Sequence, residues 1–272
     1  MNFAQSSAVY FNYTLQHAIT RLAELGYTGI EIWGGRPHMY RHDLDAQMAE
    51  IRKLLDQHGM TVCNLIPAQF RYPSLLCSDN EEVRRDSVRY IADAMRNARM
   101  VGSPSVSLCP GMLPWDRDLK TGRAQLLKSL RELDELNRAY NLLLLVEPAH
   151  RFETNLVCTV EECVDLLKDV ESDSFGILLD VGHAHVNGED MKQAIKLAAT
   201  YPFHLHLDDN DASVDQHLIP GKGTIDFDAV AQALQEIQFA GYISVELGHQ
   251  YASDPDAACR ETLDVLKSRF GG

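Results

Sequence analysis

The chain has 272 residues, and 45% of them are hydrophobic, which is enough to bury one large core. Its 39 acidic residues outnumber the 25 basic ones, and this net charge of −14 gives no indication of a nucleic-acid or membrane-surface partner. Six cysteines occur without a Cys-x-x-Cys pair, which argues against a zinc ribbon or a disulfide framework. With no basic leader and no run of eighteen apolar residues, we expect a soluble, unexported protein in the cytoplasm.

Strand-like segments recur along the chain with segments of helical spacing between them, the pattern of repeated βα units. The expected strands are 3–7, 29–33, 60–65, 105–108, 142–147, 175–180, 203–207 and 242–246. The expected helices are 14–25, 43–57, 79–100, 121–140, 159–170, 190–199, 227–239 and 255–269. No linker divides the chain, so residues 1–272 are predicted to form a single (β/α)8 TIM barrel. An open doubly wound sheet is less consistent, because AQSSAVYFN after the first strand has no glycine-rich phosphate turn.

Several helix ends are marked in the sequence. Asp43 precedes LDAQMAEIRKLL, Thr159 begins a capping-box pattern, and Asp226 or Asp228 precedes an apolar periodic segment. Glycines stand where four helices are expected to end, at positions 26, 59, 102 and 241.

Four expected strands end in an acid or a histidine, namely Glu147, Asp180, His206 and Glu246. Buried parallel strands become polar where they emerge, so these side chains are expected to meet at the C-terminal mouth of the barrel. Singly, each would be explained as a helix cap or a surface residue. Together, uncompensated carboxylates would repel one another, and a divalent cation removes that conflict. Three carboxylates and one imidazole suit one ion of Mn, Co, Mg or Zn.

Two polar residues are expected deeper inside the barrel. His204 shares a strand face with His206 but lies one layer lower, and we interpret it as a core histidine. Glu31 points to the same interior and is interpreted as a buried, paired acid, with His204 as a candidate partner.

A long acidic loop follows His206. We interpret its Asp208 and Asp211 as solvated turn residues. Asp215 and His217 form an Asp-x-His pair directly before a Pro-Gly turn, and we expect that pair to reach the site, to bind either substrate or a second metal.

Other residues are expected to surround the site. Glu153 lies in the loop after the fifth strand, and His183 lies one turn after Asp180 if a short helix starts there. Aromatic candidates for the wall that receives the distal part of a substrate are Trp33, Trp115, Phe70 and Phe152. Ordinary barrel packing explains Phe70 and Phe152 equally well.

The chain resembles the xylose-isomerase-like barrel superfamily of sugar isomerases, epimerases and apurinic endonucleases along nearly its whole length. The motifs that carry the resemblance are GYTGIEIW at 26–33, LVEP at 145–148, LLDVGHAH at 178–185, HLHLDD at 204–209, DQHLIPGKG at 215–223 and GYISVEL at 241–247. This resemblance implies that Glu147, Asp180, His206 and Glu246 are metal ligands, and it favours manganese.

Within the superfamily, the chain is most similar to the fructoselysine 3-epimerases, through IEIWGGRPH at 30–38, TNLVC at 154–158 and the loop at 209–223. HRFET at 150–154 and the position of His183 resemble the tagatose/psicose-type ketose 3-epimerases instead. In these, Glu153 and His183 would hold the hydroxyls and carbonyl of the sugar. The resemblance also implies a homodimer.

The endonuclease branch of the superfamily is a competing class. Asp215, His217 and His183 match its motif for a third metal. That branch also needs histidines after strands three and four, where this chain has NLIPAQF and Cys109. We therefore expect no hydrolytic trinuclear site and no nucleic-acid substrate.

Epimerisation at C3 of a ketose requires a proton to leave one face of the carbon and return on the other. Glu147 and Glu246 are the expected bases, acting through a cis-enediolate that the bound cation stabilises. Aldose–ketose isomerisation uses the same chemistry one carbon away, and the sequence does not distinguish the two. A barrel that only binds sugar is less consistent with two opposed bases.

Overall fold

The computed structural model describes residues 1–69 and 74–271. Eight parallel strands follow one another in chain order and close into a barrel through pairing of the last strand with the first. They are β1 (Asn2–Ser6), β2 (Gly29–Trp33), β3 (Thr61–Ile66), β4 (Ser105–Leu108), β5 (Leu143–Val146), β6 (Phe175–Asp180), β7 (Phe203–His206) and β8 (Tyr242–Val245). The predicted (β/α)8 TIM barrel is confirmed, and each strand end lies within one residue of its expected position.

The helices surround this barrel. They are α1 (Leu15–Leu25), α2 (Met48–His58), α3 (Glu81–Val101), α4 (Leu119–Asn137), α5 (Val160–Val170), α6 (Val181–Asn187), α7 (Met191–Ala198), α8 (Phe227–Glu236) and α9 (Pro255–Phe270). The helix α6 is the short one considered for the segment after Asp180. Within the described part of the chain, no helix is both long and apolar enough to cross a bilayer.

Most of the marked helix ends are confirmed. Thr159 and Glu162 form the expected capping box of α5, and Asp226 caps α8. The prediction for α2 was wrong, because the helix begins at Met48 after a short 3-10 turn and the carboxylate of Asp43 pairs with Arg36 instead. The helix α8 also ends earlier than expected, so Gly241 stands before β8 and is not a helix cap.

Alternation along the strands separates an apolar outer layer from a partly polar interior. In β6, Ile177 and Leu179 belong to the hydrophobic core shared with the helices, whereas Leu178 and Asp180 lie on the other face. The same alternation in β2 places Ile30 and Ile32 in the core and turns the side chain between them into the barrel. Polar residues therefore reach the barrel axis only at inward positions.

Glu31 is the centre of the polar interior. Its Oε2 accepts hydrogen bonds from Nδ2 of Asn64 at 3.0 Å and lies 3.0 Å from Nε2 of His204 and 2.9 Å from Nε2 of His206. The expected pairing of Glu31 with His204 is confirmed. Burial would raise the pKa of Glu31, but the imidazoles of His206 and His204 hold it below its ordinary value.

One partly buried acid outside the barrel gives a prediction for stability. Oε2 of Glu189 accepts a hydrogen bond of 3.1 Å from the backbone N–H of Val160, the first residue of α5. Burial raises the pKa of Glu189 from 4.5 to about 7. Between these two values the unfolded chain loses this proton while the folded chain keeps it, so Glu189 reduces stability as pH rises.

Glu189→Gln keeps an acceptor for Val160 but cannot ionise. Relative to wild type, the variant is expected to gain stability when the pH is raised from about 5 to about 8. Urea unfolding of both proteins at the two pH values measures this difference. An identical stability difference at both pH values would contradict the prediction.

Candidate metal and sugar site

The ends of four neighbouring strands bring the predicted metal ligands together. Asp180 ends β6 and His206 ends β7, and the two residues are direct partners in the parallel ladder. Glu147 and Glu246 are the first residues after β5 and β8, on either side of this pair. Nδ1 of His206 lies 3.5 Å from Oδ2 of Asp180 and 3.3 Å from Oε2 of Glu246. One ligand atom from each of Glu147, Asp180 and His206 lies within 4.8 Å of the others.

The hydrogen bonds of Asp180 and His206 leave one buried polar atom on each side chain free to bind an ion. Oδ1 of Asp180 caps α6 by accepting from the backbone N–H groups of Gly182 at 2.7 Å and His183 at 3.2 Å. Nε2 of His206 faces Glu31. Oδ2 of Asp180 and Nδ1 of His206 remain buried without a hydrogen-bond partner in the described chain. A histidine that binds a divalent ion through one ring nitrogen usually has a carboxylate at its other ring nitrogen. His206 and Asp180 therefore fit a divalent ion.

Without a cation, burial and the repulsion between neighbouring carboxylates disfavour the ionised form of Glu147. Burial raises the pKa of Glu147 to about 7, and the carboxylates of Asp180 and Glu246 reinforce the shift against the imidazoles of His183 and His206. A cation beside these groups would favour their ionised forms.

Above the strand ends lies a cavity of about 390 Å³, a volume suited to a small ligand. Five of the predicted site residues line it, namely Trp33, Glu147, Glu153, His183 and Glu246. The carboxylates of Glu147 and Glu246 therefore reach the same space from two sides of the barrel mouth. His206 contacts Glu246 and Asp180 contacts His206, so both lie beside the cavity without lining it.

Asp215 and His217 approach the site behind His183. Oδ2 of Asp215 lies 3.1 Å from Nε2 of His183 and 2.9 Å from Nε2 of His217. Nδ1 of His217 in turn lies 2.5 Å from Oδ2 of Asp208. The interpretation of Asp208 as a solvated turn residue was wrong, because its side chain is fully buried against His217. For Asp211 it is confirmed, since this exposed carboxylate accepts from the backbone and hydroxyl of Ser213.

The loop that carries Asp215 and His217 is folded around Asp209. The Asp209 carboxylate accepts from the backbone N–H groups of Gly221 and Gly223, both at 2.8 Å, and its backbone pairs with Leu218. These bonds tie the loop back to the end of β7. This role of Asp209 was not predicted, because the N–H groups that donate to it lie 12 and 14 residues further along the chain.

The aromatic candidates are placed differently. Trp115 is 86% exposed and lines a separate groove with Leu75, Met112 and Leu113, so the structure does not bring it into the cavity. Its contact with substrate stays a prediction. Phe152 is half exposed and packs edge-on against His150. Phe70 lies outside the described residues.

Three residues in or beside the cavity were not predicted as site residues, namely Cys109, Gln69 and His150. Sγ of Cys109 lies 3.5 Å from Oε2 of Glu147, and its backbone N–H donates to Oε1 of Gln69. Cys109 is the first residue after β4, as Glu147 is after β5, and this shared position is the signal that could have found it. Nε2 of His150 lies 3.7 Å from Oε1 of Glu153.

Residues 19–269 match the family described as a xylose isomerase-like TIM barrel. The chain belongs to this family. Among curated relatives of this xylose isomerase-like barrel, fructoselysine 3-epimerase of Escherichia coli O157:H7 is 30% identical over 263 residues, which cover 93% of each chain. The expected membership is thereby confirmed.

Solved structures agree with this assignment. A D-tagatose 3-epimerase-like protein has a TM-score of 0.82 to this xylose isomerase-like barrel at 26% identity, covering 98% of this chain and 99% of that one. The IolI protein, solved with a bound zinc atom, has a TM-score of 0.84 and covers both chains completely. Its identity of 21% makes it a likeness of fold alone.

Proposed function

We propose that this protein is an isomerase that epimerises a ketose or ketosamine at C3 with the help of one divalent ion. The observation that carries the proposal is the presence of two carboxylates, Glu147 and Glu246, on the wall of one cavity and on either side of Asp180 and His206. The fructoselysine 3-epimerase and the tagatose 3-epimerase-like protein support C3 of a ketose as the reacting position.

Inversion at C3 needs two bases. The proton on C3 is acidic because C3 is adjacent to the C2 carbonyl, and its removal leaves a planar enediolate. One glutamate takes the proton from one face, and the other glutamate returns a proton to the opposite face. Glu147 approaches from β5 and Glu246 from β8, with two strands between them, so they are suited to opposite faces of a sugar held above β6 and β7.

Glu147, Asp180, His206 and Glu246 would hold the ion, with manganese favoured by the family resemblance and cobalt, magnesium and zinc as alternatives. When bound, it supplies Lewis-acid stabilisation of the negative charge that develops on the sugar oxygens, worth several kcal/mol. Each glutamate has a second oxygen with which to move the proton.

His183 and Glu153 would orient the sugar, because both line the cavity beside the two bases. Trp33 would provide an apolar part of the same cavity wall. A nuclease of the same family is less consistent with this cavity, since Cys109 stands beside Glu147 where that branch needs a histidine. The homodimer and the cytoplasmic location stay predictions.

The reaction is tested with the metal-depleted protein, reconstituted separately with Mn, Co, Mg and Zn, and offered fructoselysine, psicose, tagatose and fructose. We expect ion-dependent formation of the C3 epimer of at least one substrate, detected by chromatography. An aldose product would indicate isomerisation between C1 and C2 instead. No product with any pair of ion and ketose would contradict the proposal.

Glu246→Gln removes one of the two bases but keeps the shape of the side chain. Turnover is expected to fall by about 10²–10⁴-fold, while the variant, saturated with ion, still binds the ketose. Steady-state kinetics and calorimetric titration measure the two effects.

Glu50→Gln is the matched control, because Glu50 is an exposed residue of α2 that does not line the cavity. It is expected to keep wild-type turnover. Retained turnover in Glu246→Gln would remove Glu246 from the mechanism.

A further inference from the structure

We propose that Asp215, supported by His217 and Asp208, is a positioning residue that fixes the imidazole of His183 for contact with the sugar. Asp215 would thus act through His183 and would not touch the sugar itself. This inference rests on the proposed epimerase function and assigns the acidic loop after β7 a part in it.

The four residues form an alternating row of imidazoles and carboxylates. From the cavity inwards, the successive separations are 3.1 Å from His183 to Asp215, 2.9 Å from Asp215 to His217 and 2.5 Å from His217 to Asp208. Each imidazole therefore has a carboxylate oxygen close enough to form an ion pair. One oxygen, Oδ2 of Asp215, lies near both rings, and Nε2 of His150 is 3.8 Å from it.

Only one end of this row reaches the cavity. His183 lines the space that also exposes Glu147 and Glu246. The side chain of Asp215 is 4% exposed, that of Asp208 is fully buried, and neither belongs to the cavity wall. A sugar in the cavity would meet His183 first, with Asp215 behind it.

The backbone is shaped to hold this row. A Cβ atom on Gly182, one residue before His183, would lie 2.1 Å from Oδ1 of Asp208, so glycine leaves the space that Asp208 occupies. His217 adopts a left-handed backbone with φ of 45°, and its carbonyl accepts from the N–H of Gly248 at 3.0 Å. Such a conformation is uncommon for a residue other than glycine and is retained where the surroundings hold it.

The row has a definite effect on His183. The two nitrogens of an imidazole differ, and the partner of one nitrogen fixes both the tautomer and the rotation of the ring. A carboxylate oxygen 3.1 Å from Nε2 favours a proton on that nitrogen and opposes rotation of the ring. An unsupported imidazole would have to be ordered each time the sugar reaches the transition state, which lowers turnover.

The test is Asp215→Asn. An asparagine in this role can donate to the ring and select the wrong tautomer. We expect kcat to fall by about 10–100-fold with little change in KM, as for other partners that orient a functional histidine. We also expect the nitrogen-15 NMR signals of the His183 ring, assigned with His183→Gln, to lose the Nε2-protonated pattern of wild type.

Asp211→Asn is the matched control, because it makes the same change in the same loop. Among the described residues, the side chain of Asp211 forms hydrogen bonds only with Ser213. It is expected to keep wild-type kcat and the wild-type ring signals. Metal content is measured for all proteins, with one ion per chain expected in wild type and in both variants.

Three results would overturn the inference. A rise in KM with unchanged kcat would make Asp215 a direct sugar contact. A second bound ion in wild type that Asp215→Asn loses would make the row a metal site. Unchanged His183 signals in Asp215→Asn would show that Asp215 does not hold the ring. Wild-type turnover is measured first, and a wild type without C3 chemistry contradicts the proposed function. In that case the ring signals still test the contact between His183 and Asp215.

Discussion

The contact between Glu31 and His206 is the constraint on which the proposed site depends. Glu31 lies inside the barrel on β2 and holds Nε2 of His206 on β7, so the other ring nitrogen is directed at Asp180 and Glu246. A buried carboxylate is stable only when it is paired and hydrogen-bonded, and two histidines and Asn64 satisfy Glu31. Removing this pairing would leave both a buried charge and an imidazole free to rotate.

The barrel and the loops contribute different parts of the site. The ladder between β6 and β7 sets Asp180 beside His206, and strand positions of this kind are rigid because hydrogen bonds hold them on both sides. The loop after β7 brings Asp215 to His183, and Asp209 anchors this loop through its bonds to the glycine-rich turn. The proposed ion site therefore lies at strand ends, whereas Glu153 and the support of His183 by Asp215 come from loops, which can differ between relatives of the same fold.

The sequence was sufficient for the barrel and for the residues at the strand ends. Alternation and spacing are local properties, and a polar residue that closes an apolar strand, such as Asp180 or His206, is visible without knowledge of tertiary contacts. The start of α2 was missed because Asp43 resembles a cap, whereas its carboxylate pairs with Arg36. Local pattern does not show which of two available partners an acid will take.

The role of Asp208 could not be found in the same way. An acid in a run of Asp and Asn is typical of a turn, whereas the side chain of Asp208 is buried in the space that Gly182 leaves and contacts His217. Trp115 shows the opposite case, since a large aromatic residue after a strand end is expected near a cavity but is directed into solvent. These placements depend on contacts between segments that are distant in sequence.

In the proposed reaction, Glu147 and Glu246 remove and return a proton at C3 of a ketose. The most direct test is proton NMR in D₂O of the metal-reconstituted protein with fructoselysine or fructose. We expect loss of the C3 proton signal as deuterium enters, together with the signals of a new C3 epimer. Deuterium at C1, or no exchange at any carbon with any ion, would contradict it.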